Sequence, residues 1–301
     1  MRRRATITAV LLLALLGCDP HTTNQTAPTP TGNLCDRIRP TLPGNWTTKA
    51  GESWPTAPLS DLCNLVAPAQ STHQIQVLVS ILPVTAAQAA RYRKFDEIQT
   101  ADRSYAAKVT DGGMGDGSWA LNPAAAAPWL VFRTGNRQVR LRAAPDGAAT
   151  MDELLSVAHA ITAVPGGLPV AKARIVRPQC ERGTAAAEHV IGGAAVARRD
   201  TLVDGHLWCE WGNETASVWA IAGDRGSDEA IDFHLVQTAG ADPAVQNHRV
   251  TVGAEGWQQD DGYLVFRTAR GQFVIVSSAP YAEMKPVPIV MLARAIAPAY
   301  S

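Results

Sequence analysis

Leu130-Val131-Phe132-Arg133-Thr134 is repeated, residue for residue, as Leu264-Val265-Phe266-Arg267-Thr268. The surroundings of the two copies match as well. A glycine-bearing segment precedes each, a second apolar run follows (Gln138 to Leu141, Phe273 to Val276), and a helix-like stretch closes the unit. Gln138 and Gln272 keep the same offset from the two motifs, which predicts one hairpin used twice. Internal identity at a long fixed period means that the fold is written twice within the 301 residues.

Working outward, the closing stretches Leu154 to Ile161 and Ile289 to Ile296 carry apolar residues at the i, i+3/i+4, i+7 positions of a helix face. Thr150 and Glu153 form a capping-box pattern before the first. Pro286 and Pro288 suit the first turn of the second. Upstream of each motif a strand leads into a helix: Ile75 to Val79 into Thr85 to Ile98, and Val218 to Ile221 into Ser227 to Val236. Antiparallel strands with helices packed on a face make an α+β fold, here two tandem, sandwich-like copies. The copies span 34–168 and 169–301, joined near Pro165-Gly166-Gly167-Leu168-Pro169. The path from Cys63 to Leu130 is longer than that from Cys209 to Leu264, and Ala124 to Pro128 reads as loop within the excess.

Each half opens with a cysteine pair at nearly equal spacing, Cys35 with Cys63 and Cys180 with Cys209. Four cysteines allow three pairings, and the duplication selects one disulfide per copy, the usual state outside the cytoplasm. A metal site normally needs a C-x-x-C spacing, which is absent, so neither metal nor other cofactor is expected.

The chain begins with Arg2, Arg3 and Arg4 and an apolar run from Ala5 to Leu16, a signal-peptide pattern too short for an ordinary spanning helix. Leu15-Leu16-Gly17-Cys18 looks like a bacterial lipobox, giving a leader over 1–17 and a lipidated Cys18. Residues 18–33, rich in Thr, Pro and Asn, have no apolar periodicity and read as a tether. The 27 basic and 27 acidic residues balance, and removal of the leader's arginines leaves a slightly acidic mature chain. No basic stripe points to nucleic acid.

The lipobox, the Thr/Pro tether, the cysteine in Trp208-Cys209-Glu210-Trp211, and Gly113-Met114-Gly115-Asp116 before a hairpin and helix together resemble an actinobacterial cell-envelope lipoprotein family of unknown function. Its members usually hold one such unit, so a tandem copy departs from the pattern. A fainter similarity links the layout to the extracellular sensor domains of actinobacterial serine/threonine kinases, which are α+β sandwiches with paired disulfides. The resemblance implies placement on the outer face of the cell membrane and supplies no catalytic residues.

Enzyme signatures are missing. Ser118 lies in Gly115-Asp116-Gly117-Ser118-Trp119, which lacks the second glycine of a nucleophile elbow, and neither H-E-x-x-H nor a Walker loop occurs. Asp111 to Gly117 lacks the alternating oxygen ligands and terminal Glu of a calcium loop and reads as a turn, as do its counterpart Val252 to Gly256 and Asp260-Asp261-Gly262. His73, His159, His189, His206, His234 and His248 fall at unmatched positions in the two halves. Tryptophan is over-represented, with 8 against 5 Phe and 5 Tyr. If Cys209 is in a strand, Trp208 and Trp211 lie on opposite faces and cannot both be core of the same layer. The plainer reading packs the tryptophans around the disulfide and the hairpin, and the functional alternative is an aromatic surface or groove between the repeats. On that alternative Trp208, Trp211 and Trp219 are the candidate ligand-facing aromatics. The expectation is a non-enzymatic, lipid-anchored binding module on the extracytoplasmic face, for an envelope protein or a small envelope ligand. The alternatives are an envelope hydrolase or transferase with its site between the repeats, and a structural or assembly lipoprotein.

Overall fold

The computed structural model describes residues 32–44, 46–50, 59–67, 73–101, 107–124, 126–144, 149–169, 172–203, 205–239, 247–259, 263–279 and 286–300. The leader, Cys18, most of the tether, Trp54 and the Asp260-Asp261-Gly262 segment lie outside the described residues. The architecture is α+β, built on two sheets that follow one another along the chain.

The first half runs α1 (Leu34–Ile38), β1 (Thr47–Ala50), β2 (Ser60–Val66), β3 (Gln74–Ser80), α2 (Ala86–Ala101), β4 (Thr110–Asp111), β5 (Trp119–Leu121), β6 (Trp129–Thr134), β7 (Arg137–Ala143) and α3 (Met151–Thr162). Its strands order as β1-β2-β3-β7-β6-β5-β4, with every pairing antiparallel. The second half runs β8 (Arg174–Ile175), α4 (Pro178–Glu181), α5 (Thr184–Ile191), β9 (Ala197–Arg199), β10 (Thr201–Val203), β11 (His206–Gly212) and β12 (Ser217–Gly223). It continues through α6 (Asp228–Ala239), β13 (Asn247–Val250), β14 (Glu255–Gln259), β15 (Leu264–Arg267), β16 (Phe273–Ala279) and α7 (Pro286–Ile296). Its order, β13-β14-β15-β16-β12-β11-β9-β8, is the same path with one parallel edge strand, β8, added beside β9 and with β10 also paired to β11.

Register makes the duplication physical. In the first sheet one rung reads Cys63, Val77, Leu141, Leu130 across four strands. In the second the same rung reads Cys209, Ala220, Val276, Leu264. The Cys35–Cys63 and Cys180–Cys209 disulfides, with Cα separations of 5.3 and 5.5 Å, therefore tie an N-terminal turn to equivalent points of the two sheets. Each closes a loop of similar length, sequence separations 28 and 29. Such a closure contributes about 3–4 kcal/mol by restricting the unfolded chain.

The motif pair forms β6 and β15 as the pattern predicts, but the hairpins after them differ. Thr134 pairs with Arg137 across two residues, whereas the Thr268 amide donates to Gln272 O (2.8 Å) across three, the last being Gly271 at φ +88°. A glycine at positive φ is what a three-residue hairpin of this kind requires. Gln272 thus matches Arg137, not Gln138, and the equal sequence offset was a coincidence of one inserted residue. The longer Cys63-to-Leu130 path is spread over the β2–β3 connection, the longer helix α2 and the β5–β6 loop rather than held in one excursion.

Both faces of each sheet are covered, where the sequence suggested one. In the first half α1 and α3 bring Ile38, Val157 and Ile161 onto Leu65, Val77, Phe132 and Leu141, and α3 starts at the expected capping box. The opposite face sets Trp119 and Val131 against Ala89 and Tyr92 of α2. In the second half α5 and α7 bury Ile191, Leu292 and Ile296 against Trp211, Val218 and Phe266. On the other face Ala230, Phe233 and Val236 of α6 cover Trp208, Trp219, Ile221, Val265 and Ile275. Strand alternation requires this: β12 is buried at every position, and a strand of that kind needs a layer on each side.

Candidate functional site at the junction of the repeats

The two repeats meet where the start of β2 and the end of β3 reach β9 and β11. Leu59 and Ile81 of the first repeat close on Ala197 of the second, with Leu82 alongside. Leu59 is held at φ +53°, an uncommon setting for a leucine, and its side chain occupies the space beside Gly212, where an added Cβ would lie 1.9 Å from Leu59 Cδ1. Gly212 lacks a side chain because the first repeat fills that place.

Around this apolar contact stands a set of buried ionisable groups. The Leu59 amide donates to Glu210 Oε1, and Arg199 pairs with Asp61 across the junction. Arg199 also donates to Lys172 O (2.7 Å), and Arg137 to Pro169 O (3.2 Å). Gln88 of α2 donates to Glu214 O at the β11–β12 turn. Behind these, the fully buried Arg198 donates to Asp200 Oδ2 (2.6 Å) and Thr184 Oγ1 (3.0 Å), with its guanidinium 5.2 Å from the Trp211 ring centroid. Asp200 also accepts the Arg177 amide (2.9 Å) and the Glu210 amide (3.2 Å).

Burial pushes the Glu210 carboxyl up to about 8, against the pull of the Leu59 amide and of Arg199. Burial likewise raises Asp200, opposed by the Arg177 amide and the Arg198 charge. Desolvation lowers Arg137, with Asp61 acting against it. Glu210 is thus a carboxyl poised near neutrality between the two copies, the group in this region best placed to gain or lose a proton.

The candidate aromatics fall elsewhere than expected. Trp208 and Trp211 do lie on opposite faces of β11, yet neither is at the surface: Trp208, Trp211 and Trp219 are 3%, 0% and 7% exposed. The indoles pack on both faces, as the plainer reading had it, because α6 covers one side and α5 with α7 the other. These three indoles are core of the second repeat and cannot present a ligand surface. Ser118 is buried too, and its hydroxyl donates to Gly115 O (2.9 Å) while accepting the Met114 amide (3.1 Å), which makes it a brace for its own turn.

The histidines are not brought together. His73 meets Glu153 (3.0 Å), His206 lies between Asp224 (3.3 Å) and Gln272 (3.4 Å), and His159, His189 and His248 are exposed on separate elements. Among the described residues no three His, Cys, Asp or Glu side chains converge as metal ligands, and no helix is long and apolar enough to cross a membrane. Sequence reading missed Glu210 and Asp200. The one available signal was a Glu between Cys209 and Trp211 in a segment that otherwise reads as core.

No protein-family model matches the chain, and no curated protein does. Among solved structures, the solution structure of cyanobacterial PsbP (CyanoP) from Synechocystis sp. PCC 6803 is similar at 12% identity and a TM-score of 0.22. The match covers 43% of this chain and 84% of that one. A similarity at that level carries no argument about fold or function.

Proposed function

We propose that this chain is a lipid-anchored lipoprotein of the extracytoplasmic face, related to the actinobacterial envelope lipoproteins it resembles, and that it acts as a binding module rather than an enzyme. The observation that carries the reading is the pair of disulfides on one equivalent rung of both repeats. A structural disulfide kept in both copies suits an oxidising compartment, and the Leu15 to Cys18 motif supplies the route to it. The buried ionisable groups at the junction also support it, since Asp200, Arg198 and Arg199 are bonded to neighbours within the chain.

Membrane fractionation of cells expressing the full chain tests the anchoring. Cys18→Ser is expected to release the protein or stall its maturation, and unchanged membrane retention would overturn the anchor. A second reading, an envelope hydrolase or transferase, has Glu210 in its favour, because a carboxyl near neutrality between the repeats could serve as a general acid or base. A screen against ester, glycoside and peptide substrates separates the two: turnover abolished by Glu210→Gln establishes the enzyme and removes the binding module.

A further inference from the structure

The second repeat carries one piece of sheet for which the first has no counterpart. β8 pairs in parallel with β9 and ends the sheet, with no strand on its outer side among the described residues. Its backbone follows β9 and the bend after it: the Arg198 amide donates to Ala173 O (2.8 Å), the Asp200 amide to Ile175 O (2.9 Å) and the Arg177 amide to Asp200 Oδ2 (2.9 Å). The Arg174 guanidinium reaches back to Ala195 O (3.3 Å), next to Val196. Residues 172–177 therefore run beside residues 195–202 as one edge. Four large apolar side chains on it face solvent, with Ile175 41%, Val176 39%, Val196 48% and Leu202 45% exposed. They are half of the large apolar side chains exposed among the described residues.

Cations stand among them. Lys172 and Arg174 are exposed and Arg177 half-buried, and none of the three is paired with a carboxylate among the described residues. The carboxylates nearby already have partners: Asp61 holds Arg199, Asp200 and Glu181 hold Arg198 (2.6 and 3.5 Å), and Glu188 accepts the Ala195 amide (3.0 Å). Charged side chains commonly guard a sheet edge, but that role calls for no apolar side chains in solvent. Apolar area and basic charge presented together are what hold a protein surface in a bilayer interface. The place where the chain enters the fold points the same way. The stretch read as a tether ends at Asn33, the N-cap of α1, and from α1 Arg37 donates to Pro165 O and to Gly167 O (3.4 Å) of the connector between repeats. Lys172 follows Gly167 by five residues, a reach of at most about 17 Å. The end of the tether and the basic, apolar edge thus meet the same connector.

We propose that the edge formed by β8 with Val196 and Leu202 docks the folded body on an anionic lipid surface. This rests on the lipid-anchored reading and deepens it: the lipid on Cys18 keeps the body at the membrane, and the edge sets which side of the body faces it. The anchor makes the contact intramolecular, so a few apolar side chains and cations suffice. A second copy is disfavoured at the same place, because an isologous contact sets Lys172, Arg174 and Arg177 of each chain against those of the other. Exposed apolar side chains alone do not make such a surface. Ile231 and Leu235, one turn apart on α6, are also exposed but share their helix with Asp228, Glu229 and Asp232, which an anionic surface repels.

The test is hydrogen exchange, read by mass spectrometry of peptides, on the mature chain purified from cell membranes and reconstituted into vesicles. One set of vesicles is phosphatidylcholine alone and the other contains phosphatidylglycerol as well. Peptides covering 172–177 and 195–202 are expected to exchange more slowly in the anionic vesicles, and the difference should vanish in concentrated salt. Each cation at an anionic surface contributes about fivefold to the docking equilibrium, so Lys172→Gln should cut the extra protection about fivefold. Ile175→Ser should weaken it as well, and Leu235→Ser should leave it unchanged. All three side chains are exposed, so these variants are expected to fold, and the comparison of vesicles needs no variant. Equal exchange in the two vesicles, protection that survives Lys172→Gln combined with Arg174→Gln, or protection lost in Leu235→Ser overturns the docking edge. Protection already present in detergent and growing with protein concentration marks a second copy, and protection that appears only with added membrane proteins marks a protein partner; either result overturns it too. Flotation of the same samples separates the two readings: a chain that floats with an unprotected edge removes the docking edge and leaves the anchor, and a chain that does not float removes both.

Discussion

Replacing Glu210 by Gln isolates the protonation of one buried group. Glu210 is 5% exposed, accepts the Leu59 amide, and has its carboxyl raised by burial to about 8. The unfolded chain ionises near the ordinary glutamate value of about 4.3. Between those two values the folded state holds a proton that the unfolded state has released. Stability from this group is therefore complete below about pH 4 and is lost as pH rises to about 8, with a slope of up to about 1.4 kcal/mol per pH unit. Over the whole interval the loss is on the order of 5 kcal/mol, a large share of the stability of an ordinary domain. Gln keeps an oxygen for the Leu59 amide and never ionises. Glu210→Gln should then match the parent near pH 4–5 and exceed it by roughly 3–5 kcal/mol near pH 9. Urea unfolding followed by tryptophan emission, under non-reducing conditions and at unit pH steps, measures the difference. Asp200 is raised as well and slopes the same way, but it is common to both proteins, so the difference curve reports Glu210. A flat difference across pH, or a variant weaker than the parent at pH 7, would mean that Glu210 is ionised against Arg199, and the account of the junction would fail.

Other consequences follow from the same contacts. Gly212→Ala places a methyl group where Leu59 sits, and overpacking of this kind costs about 1–3 kcal/mol; a lowered urea midpoint and faster proteolysis near Leu59 are expected, and an unchanged midpoint would contradict the contact. Peptide mapping without reduction should find Cys35 joined to Cys63 and Cys180 to Cys209, with no linkage between repeats. Replacing both members of one pair by Ser should cost about 3–4 kcal/mol, read from the urea midpoint. Thr150→Ala removes the hydroxyl that caps α3 and should cost about 1 kcal/mol, a small shift in midpoint with no change in disulfide content.

How much of this could be read in advance differs from layer to layer. The β3–α2 and β12–α6 units, the paired hairpins, the capping box at Thr150 and the first-turn prolines of α7 are local, and each appears where periodicity and capping chemistry put it. The short strands β1, β8, β9 and β10 were not legible, because two to four residues give no period. The hairpin insertion escaped for the opposite reason: Gln138 and Gln272 matched as letters, and only the ladder shows that Gln272 pairs like Arg137.

The aromatic residues and the carboxyls show where sequence reasoning stops. Strand alternation correctly separated Trp208 from Trp211, but exposure depends on what is laid over each face, and that was decided by helices some twenty to eighty residues away. Glu210 looks like any strand glutamate until Leu59 and Asp61 of the other repeat are brought against it and Arg199. By itself the sequence determined that one unit occurs twice, which cysteines pair, and which helix closes each copy, since these follow from identity, spacing and short-range geometry. Only the tertiary structure decided that the tryptophans are core and that a carboxyl is trapped at the junction. Burial and desolvation belong to the space between elements, and no local pattern in the chain encodes that space.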